Sequence, residues 1–311
     1  MAGTFTHWMI VEDALDKYNR LGRKHKYFNL ILRRNHFVNL GAVGPDYPYL
    51  TDLLAGVLKE HTWADRMHYE NTREFLRIAA SNLLNRKKEE FNICLAWYCG
   101  YVSHVVADTI VHPVVNTIVG PYHFNSSEHR HCEMIQDSYI FREIKRTELR
   151  YSEYVALLKQ CSDPADEECI HPSIRTLWGG ILEASHPGGG KYFARIQPDE
   201  WHENFLSKIS TAADPIPVFR HFGEEKSLVY KRVEDFDQEE RKIFIEEVRL
   251  PGGKTGNFRK NVFDKVVAMV IDVWGTLFAD LERKDLSGFD ACIKNWNLDT
   301  GVDEDNIHFW S

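Results

Sequence analysis

Between residues 91 and 115 the chain is apolar on almost every side of any helix drawn through it, with Phe91, Ile93, Leu95, Trp97, Tyr98, Val102, Val105, Val106, Ile110 and Val111 among its residues. A helix without a polar face cannot lie at a surface, so this segment predicts a central, fully enclosed helix. Its β-branched content would also suit a strand, but its length favours a helix. Pro113 is expected to end or kink it. A second apolar helix is expected over residues 257–281, through Val266, Val267, Ile271, Trp274, Leu277 and Phe278. No segment is read as long enough to span a membrane.

Amphipathic helices are expected around these two. One covers residues 8–18, with Thr6 as N-cap. Others cover 51–58, 63–84 as a single element, 128–158, and a stretch opening at Pro198-Asp199-Glu200-Trp201. Residues 41–49 and 163–198, rich in Gly, Pro and acidic side chains, are expected to be loops, and 242–250 a short strand. The fold class is therefore all-α, a multi-helix bundle with loop-rich insertions. No flexible linker divides the chain, so residues 1–311 are expected to form one domain.

Three polar residues interrupt the central apolar segment: His104, Asp108 and His112. At about 100° per residue, each step of four advances only about 40°, so all three share one stripe. A buried carboxylate without a partner costs several kcal/mol, which a metal ion offsets directly. A buried His–Asp–His hydrogen-bond ladder is the plainer alternative for one such histidine, but three on one stripe favour a metal. A second segment repeats the spacing with His129 and Glu133, and Asp137 continues the line; on a surface helix that would be a solvated face. Imidazole and carboxylate are zinc ligands, and a catalytic site keeps a position for water. These five donors exceed one tetrahedral catalytic site, so two or more metals are implied.

The run Ser103-His104-Val105-Val106-Ala107-Asp108-Thr109-Ile110-Val111-His112-Pro113, followed by His129-x-x-x-Glu133, resembles the zinc-dependent phospholipase C and S1/P1 nuclease superfamily. The short Asp-to-His step is similar to the branch with glycosylphosphatidylinositol-specific phospholipase D and related bacterial proteins. His7 and the loop Gly41-Ala42-Val43-Gly44-Pro45-Asp46 match further family positions. The resemblance implies two or three Zn2+ ions, with other divalent metals possible. Asp46, His61, His104 and Asp108 would hold one, His112, His129 and Glu133 a second, and His7 with a shared Asp108 a third. His61 and His68 compete for one place; His61, in a loop free to bend inward, is preferred. Asp46 would also orient or deprotonate the attacking water. The family's third metal uses the amino group of the mature chain, whereas six residues precede His7 here, so that site is expected to be the weakest.

The implied chemistry is hydrolysis of a phosphoester, in a phospholipid or a small phosphodiester, by water whose pKa zinc lowers towards ~7. An S1/P1-type nuclease is the alternative, as is a family member recruited to other metal-dependent chemistry in a biosynthetic pathway. A net charge of −8 weighs mildly against nucleic acid without excluding it. The six cysteines form no C-x-x-C pair, so a thiolate zinc site is not expected. The first residues carry neither a basic nor an apolar leader pattern, and the cytoplasm is the expected compartment.

Overall fold

The computed structural model describes residues 3–22, 25–49, 62–150, 152–188, 195–213 and 230–311. Among them the chain is mainly α-helical, with β1 (Ser162–Asp163) pairing β2 (Asp166–Ile170) and β3 (Val248–Arg249) pairing β4 (Thr255–Gly256), both antiparallel. The expected helix over 51–58 lies outside the described residues.

The enclosed helix is α6, which runs from Lys88 to Val119. It is long and apolar enough to cross a membrane, contrary to the expectation that no segment reached that length, but most of its side chains are buried inside the protein. Among the described residues it is covered by α1 (Thr4–Arg20), α2 (Lys26–Arg33), α3 (Asn35–Ala42), α5 (Thr72–Leu83), α7 (Tyr122–Lys145), α9 (Pro172–Ser185) and α12 (Asp264–Arg283). The α12 contact includes Trp274, whose indole N–H donates to the carbonyl of Cys99 at 2.9 Å. Pro113 neither ends α6 nor stops its last turn, and the helix finishes six residues later at Val119, capped by Gly120, whose φ of +88° suits glycine.

Glycine decides how closely α3 and α6 approach. A Cβ on Gly100 would lie 2.0 Å from the carbonyl oxygen of Val38 and 2.7 Å from the nitrogen of Ala42. One on Gly41 would lie 1.9 Å from the carbonyl oxygen of Trp97. The two backbones therefore meet directly, and only paired glycines allow it.

Several local expectations are corrected. The first helix starts at Thr4 with Gly3 as N-cap, and Thr6 lies inside it. The exposed amides are met across the fold by Asp137, which accepts from the nitrogens of Phe5 and Thr6 and from the Thr6 hydroxyl. Residues 41–49 are not a loop: α3 runs to Ala42, and a 3-10 turn follows over Gly44–Asp46. Residues 63–84 split into α4 (Trp63–Tyr69) and α5 (Thr72–Leu83), because Asn71 adopts a left-handed φ of 52°. Residues 128–158 split likewise into α7 and α8 (Ser152–Lys159). The stretch 163–198 holds a hairpin and α9 (Pro172–Ser185), where Pro172 opens the helix rather than breaking it. Residues 242–250 form a π-helical turn, Lys242–Glu246, before β3.

α10 (Pro198–Ala213), the helix expected from Pro198, supports the 3-10 turn from outside. Tyr47, next after Asp46, stacks on Phe205 with ring centroids 4.3 Å apart. His202 is fully buried, with Nε2 3.1 Å from the Ser162 hydroxyl and Nδ1 3.5 Å from the Tyr47 hydroxyl. Burial pushes its pKa down from 6.5 to about 4. The folded state thus resists protonation that the unfolded chain accepts near 6.5, so this group's contribution is full above 6.5 and is lost as pH falls to 4. At ~1.4 kcal/mol per pH unit the whole effect is roughly 3 kcal/mol. His202→Gln is expected to flatten the pH dependence of denaturant midpoints between pH 6.5 and 4; an unchanged slope would show that His202 does not carry it.

Candidate metal centre

The stripe read from the sequence forms as α6 dictates. Asp108 is fully buried and stands between four imidazoles. Its Oδ1 faces His7 Nε2 at 3.2 Å and His112 Nε2 at 3.4 Å. Its Oδ2 faces His104 Nε2 at 3.2 Å and His68 Nε2 at 3.5 Å. His7 arrives on α1, stacked on His104 with centroids 4.2 Å apart and rings nearly parallel. Asp46 arrives on the 3-10 turn after the Gly41–Gly100 contact, with Oδ1 3.3 Å from His68 Nε2 and 4.0 Å from His104 Nε2.

Two overlapping triads are close enough for their donor atoms to share an ion: His7, His104 and Asp108, and Asp46, His68 and His104. His61 lies outside the described residues. His68, the second choice of the sequence reading, is the histidine brought to Asp46 and Asp108. Its placement is legible in hindsight: Trp63, Ala64, Met67 and His68 share one buried face of α4.

Backbone carbonyls set the orientation of these rings. His104 Nδ1 lies 2.8 Å from the carbonyl of Ala42, and His68 Nδ1 lies 2.7 Å from that of Ala64. With the proton on Nδ1, each Nε2 lone pair points into the cluster, which is the tautomer a metal ligand needs. His129 is turned the other way: its Nε2 meets the carbonyl of Gly120 at 2.6 Å, and its Nδ1 faces Glu133 Oε1 at 3.9 Å. His112 lies near enough to Glu133 to act on its charge. Among the described residues, however, His112, His129 and Glu133 do not close into a triad like the other two. Asp137, in line with Glu133 in sequence, belongs to the start of α1 instead.

The electrostatics of the cluster suit a bound cation. Burial alone would raise the Asp108 carboxyl, yet the charges of His112, His104 and His7 hold it well below the usual carboxylate range. Burial lowers His104, which favours the neutral ring that can ligate. Burial would lower His68 too, but Asp108 and Asp46 outweigh it and lift its pKa to about 10; the two carboxylates favour positive charge at Nε2, and a bound cation would take the place of that proton. Asp46 Oδ1, His7 Nε2 and His112 Nε2 are buried and make no hydrogen bond of standard geometry. Buried polar atoms are ordinarily paired. Lone pairs of nitrogen and oxygen directed inward, with no donor to receive, fit a zinc-type ion.

Residues 6–188 match the family model described as zinc dependent phospholipase C. The chain belongs to that family. The match takes in His7, Asp46, His68 and the whole His104–Glu133 stretch, and it identifies the protein as a zinc-binding, metal-dependent phosphoester hydrolase. No match was found among curated proteins or among solved structures.

Proposed function

We propose that the protein cleaves a phosphodiester, in a phospholipid or a small molecule, at a centre of two or three zinc ions held by His7, Asp46, His68, His104, Asp108, His112, His129 and Glu133. His68 takes the place first given to His61. The observation that carries the reading is Asp108, whose two oxygens face two different pairs of imidazoles in a fully buried position. A carboxylate so placed can serve two cations at once.

Bound zinc would supply Lewis-acid charge and make water acidic enough to attack near neutral pH. The chain's own groups do the rest. Asp46 keeps about a tenth of its side chain exposed, whereas Asp108, His7, His68 and His104 are essentially sealed. Water therefore reaches the cluster on the Asp46 side, where that carboxylate can orient it and accept its proton. His68 and His104, fixed through Nδ1 by carbonyls, keep their geometry as charge builds on the phosphoryl oxygens, so little reorganisation is needed.

The test pairs metal analysis with a panel of bis(p-nitrophenyl) phosphate, phosphatidylcholine in mixed micelles, single-stranded DNA and a phosphomonoester. Hydrolysis of a diester, abolished by chelation and restored by Zn2+, is expected. A preference for DNA would move the reading to a nuclease. Zinc-replete protein inert towards every diester, or activity indifferent to chelation, would contradict it.

A further inference from the structure

The segment after α13 (Ser287–Cys292) lies beyond the family match, yet it is laced onto the helices that carry the cluster. Asn297 and His308 each form an antiparallel bridge with Val302. The nitrogen of Leu298 donates to the carbonyl of His68 at 2.8 Å, at the end of α4. The Trp310 indole donates to the carbonyl of Ile110 at 2.9 Å, and the Asn116 amide to the carbonyl of Asp299 at 2.6 Å, both on α6. Gly301, at φ +63°, sits so close to α6 that a Cβ would lie 2.6 Å from both the Thr109 carbonyl oxygen and the Pro113 ring. That carbonyl is the one Pro113 leaves without its helical donor.

This lacing brings one carboxylate to the centre. Asp299 Oδ1 stands 3.5 Å from Nδ1 of His112, the ring whose Nε2 faces Asp108. His68, His104 and His129 each have one ring nitrogen against a backbone carbonyl, whereas neither nitrogen of His112 makes a hydrogen bond of standard geometry. His7 and His112 are thus the two whose orientation does not come from a backbone carbonyl, and for His112 it is Asp299 that is placed to give it.

We infer that Asp299 is a positioning residue for the metal centre: its carboxylate accepts the Nδ1 proton of His112 and so commits Nε2 to the metal. The inference rests on the zinc reading above. A carboxylate–histidine–metal arrangement strengthens the ligand as well as aiming it, because the anion makes the imidazole more electron-rich. Ligation at Nε2 in turn makes the Nδ1 proton a better donor, which favours closing the present 3.5 Å gap. The Asp299 backbone is already fixed, with its nitrogen donating to Asn297 Oδ1 at 3.1 Å and its carbonyl held by Asn116, so only the side chain has to move.

The test is zinc affinity, measured by competition with a chromophoric chelator on full-length protein. Asp299→Ala is expected to weaken binding by about 10- to 100-fold, as loss of a partner to a ligating histidine does elsewhere. Asp299→Asn, whose amide oxygen can still accept the proton, should recover part of that loss. In a His112→Ala background the further change Asp299→Ala should alter affinity by less than about twofold, since the residue it acts through is gone. Wild-type affinity in Asp299→Ala, or an undiminished loss in the His112→Ala background, overturns the inference while leaving the zinc reading intact. Failure of the wild-type protein to bind zinc overturns both. Should Asp299→Ala not fold, nitrogen-15 NMR of zinc-loaded wild-type protein decides: Nε2 ligated and Nδ1 protonated on His112 is expected, and ligation through Nδ1 refutes it.

Discussion

Asp108→Asn is expected to abolish both zinc retention and diester hydrolysis while leaving a folded protein. Asparagine keeps the volume of the side chain, so the packing of α6 has no reason to fail. It removes the negative charge that faces His7, His68, His104 and His112 within 3.5 Å. It also replaces one acceptor oxygen with an N–H donor, and that donor points at imidazole nitrogens or at a metal. Among the described residues no neighbouring carboxylate can substitute on both sides: Asp46 pairs with His68 and His104, and Glu133 sits with His129. Activity should fall by at least about a thousandfold, the upper range for losing a single group that stabilises transition-state charge. Zinc should no longer raise the melting temperature, because binding energy to the folded state is what provides that gain. Full zinc content in folded Asp108→Asn, by elemental analysis after gel filtration, would show that the carboxylate is not a ligand.

Gly100→Ala is expected to damage the same site from the far side of α3. The new Cβ would lie 2.0 Å from the Val38 carbonyl oxygen, 2.7 Å from the Ala42 nitrogen and 2.9 Å from the Gly41 Cα, all backbone atoms with no rotamer to escape into. The helices would have to part by roughly 1 Å, and overpacking of this kind costs about 1–3 kcal/mol or more. The site suffers in particular because the displaced carbonyl of Ala42 orients His104, and the displaced chain leads straight into Asp46. Zinc affinity should therefore fall together with stability. Gly180→Ala is the control: it lies in α9, a Cβ there meets nothing within 4 Å, and alanine should stabilise that helix by about 0.5–1 kcal/mol. Equal denaturant midpoints for wild type and Gly100→Ala would refute the crossing described here.

What the sequence made legible follows the range of each signal. His104, Asp108 and His112 share a stripe because helical periodicity alone brings them together, and their apolar surroundings marked them as buried. His7 and Asp46 have no such local sign. They lie 97 and 58 residues from His104 in the chain, and only the family resemblance connected them to it. Sequence favours His61 over His68 because His61 lies just outside the expected helix 63–84, in a loop free to bend inward, and that helix is expected to run unbroken past His68. The left-handed Asn71 that separates α4 from α5 is a single residue in a run of helix formers, and its amide is fixed by the Ser185 carbonyl far along the chain. Gly41 carried a turn signal in sequence but serves a helix crossing, a distinction that depends on Gly100 opposite it. Asp299 had no signal at all: it is an acidic residue between an asparagine, a leucine and a threonine, and its role arises only where the chain folds back across α6.

Everything proposed for the site depends on zinc in the buried cluster around Asp108. Anomalous diffraction at the zinc edge, on crystals of protein purified without added metal, tests it most directly. At least one strong peak is expected within about 2.0–2.2 Å of Asp108 and of His104 Nε2, with further density shared among His7, His68, Asp46 or His112. Well-ordered side chains at Asp108 and His104 with no anomalous peak between them, in crystals grown with zinc in excess, would contradict it.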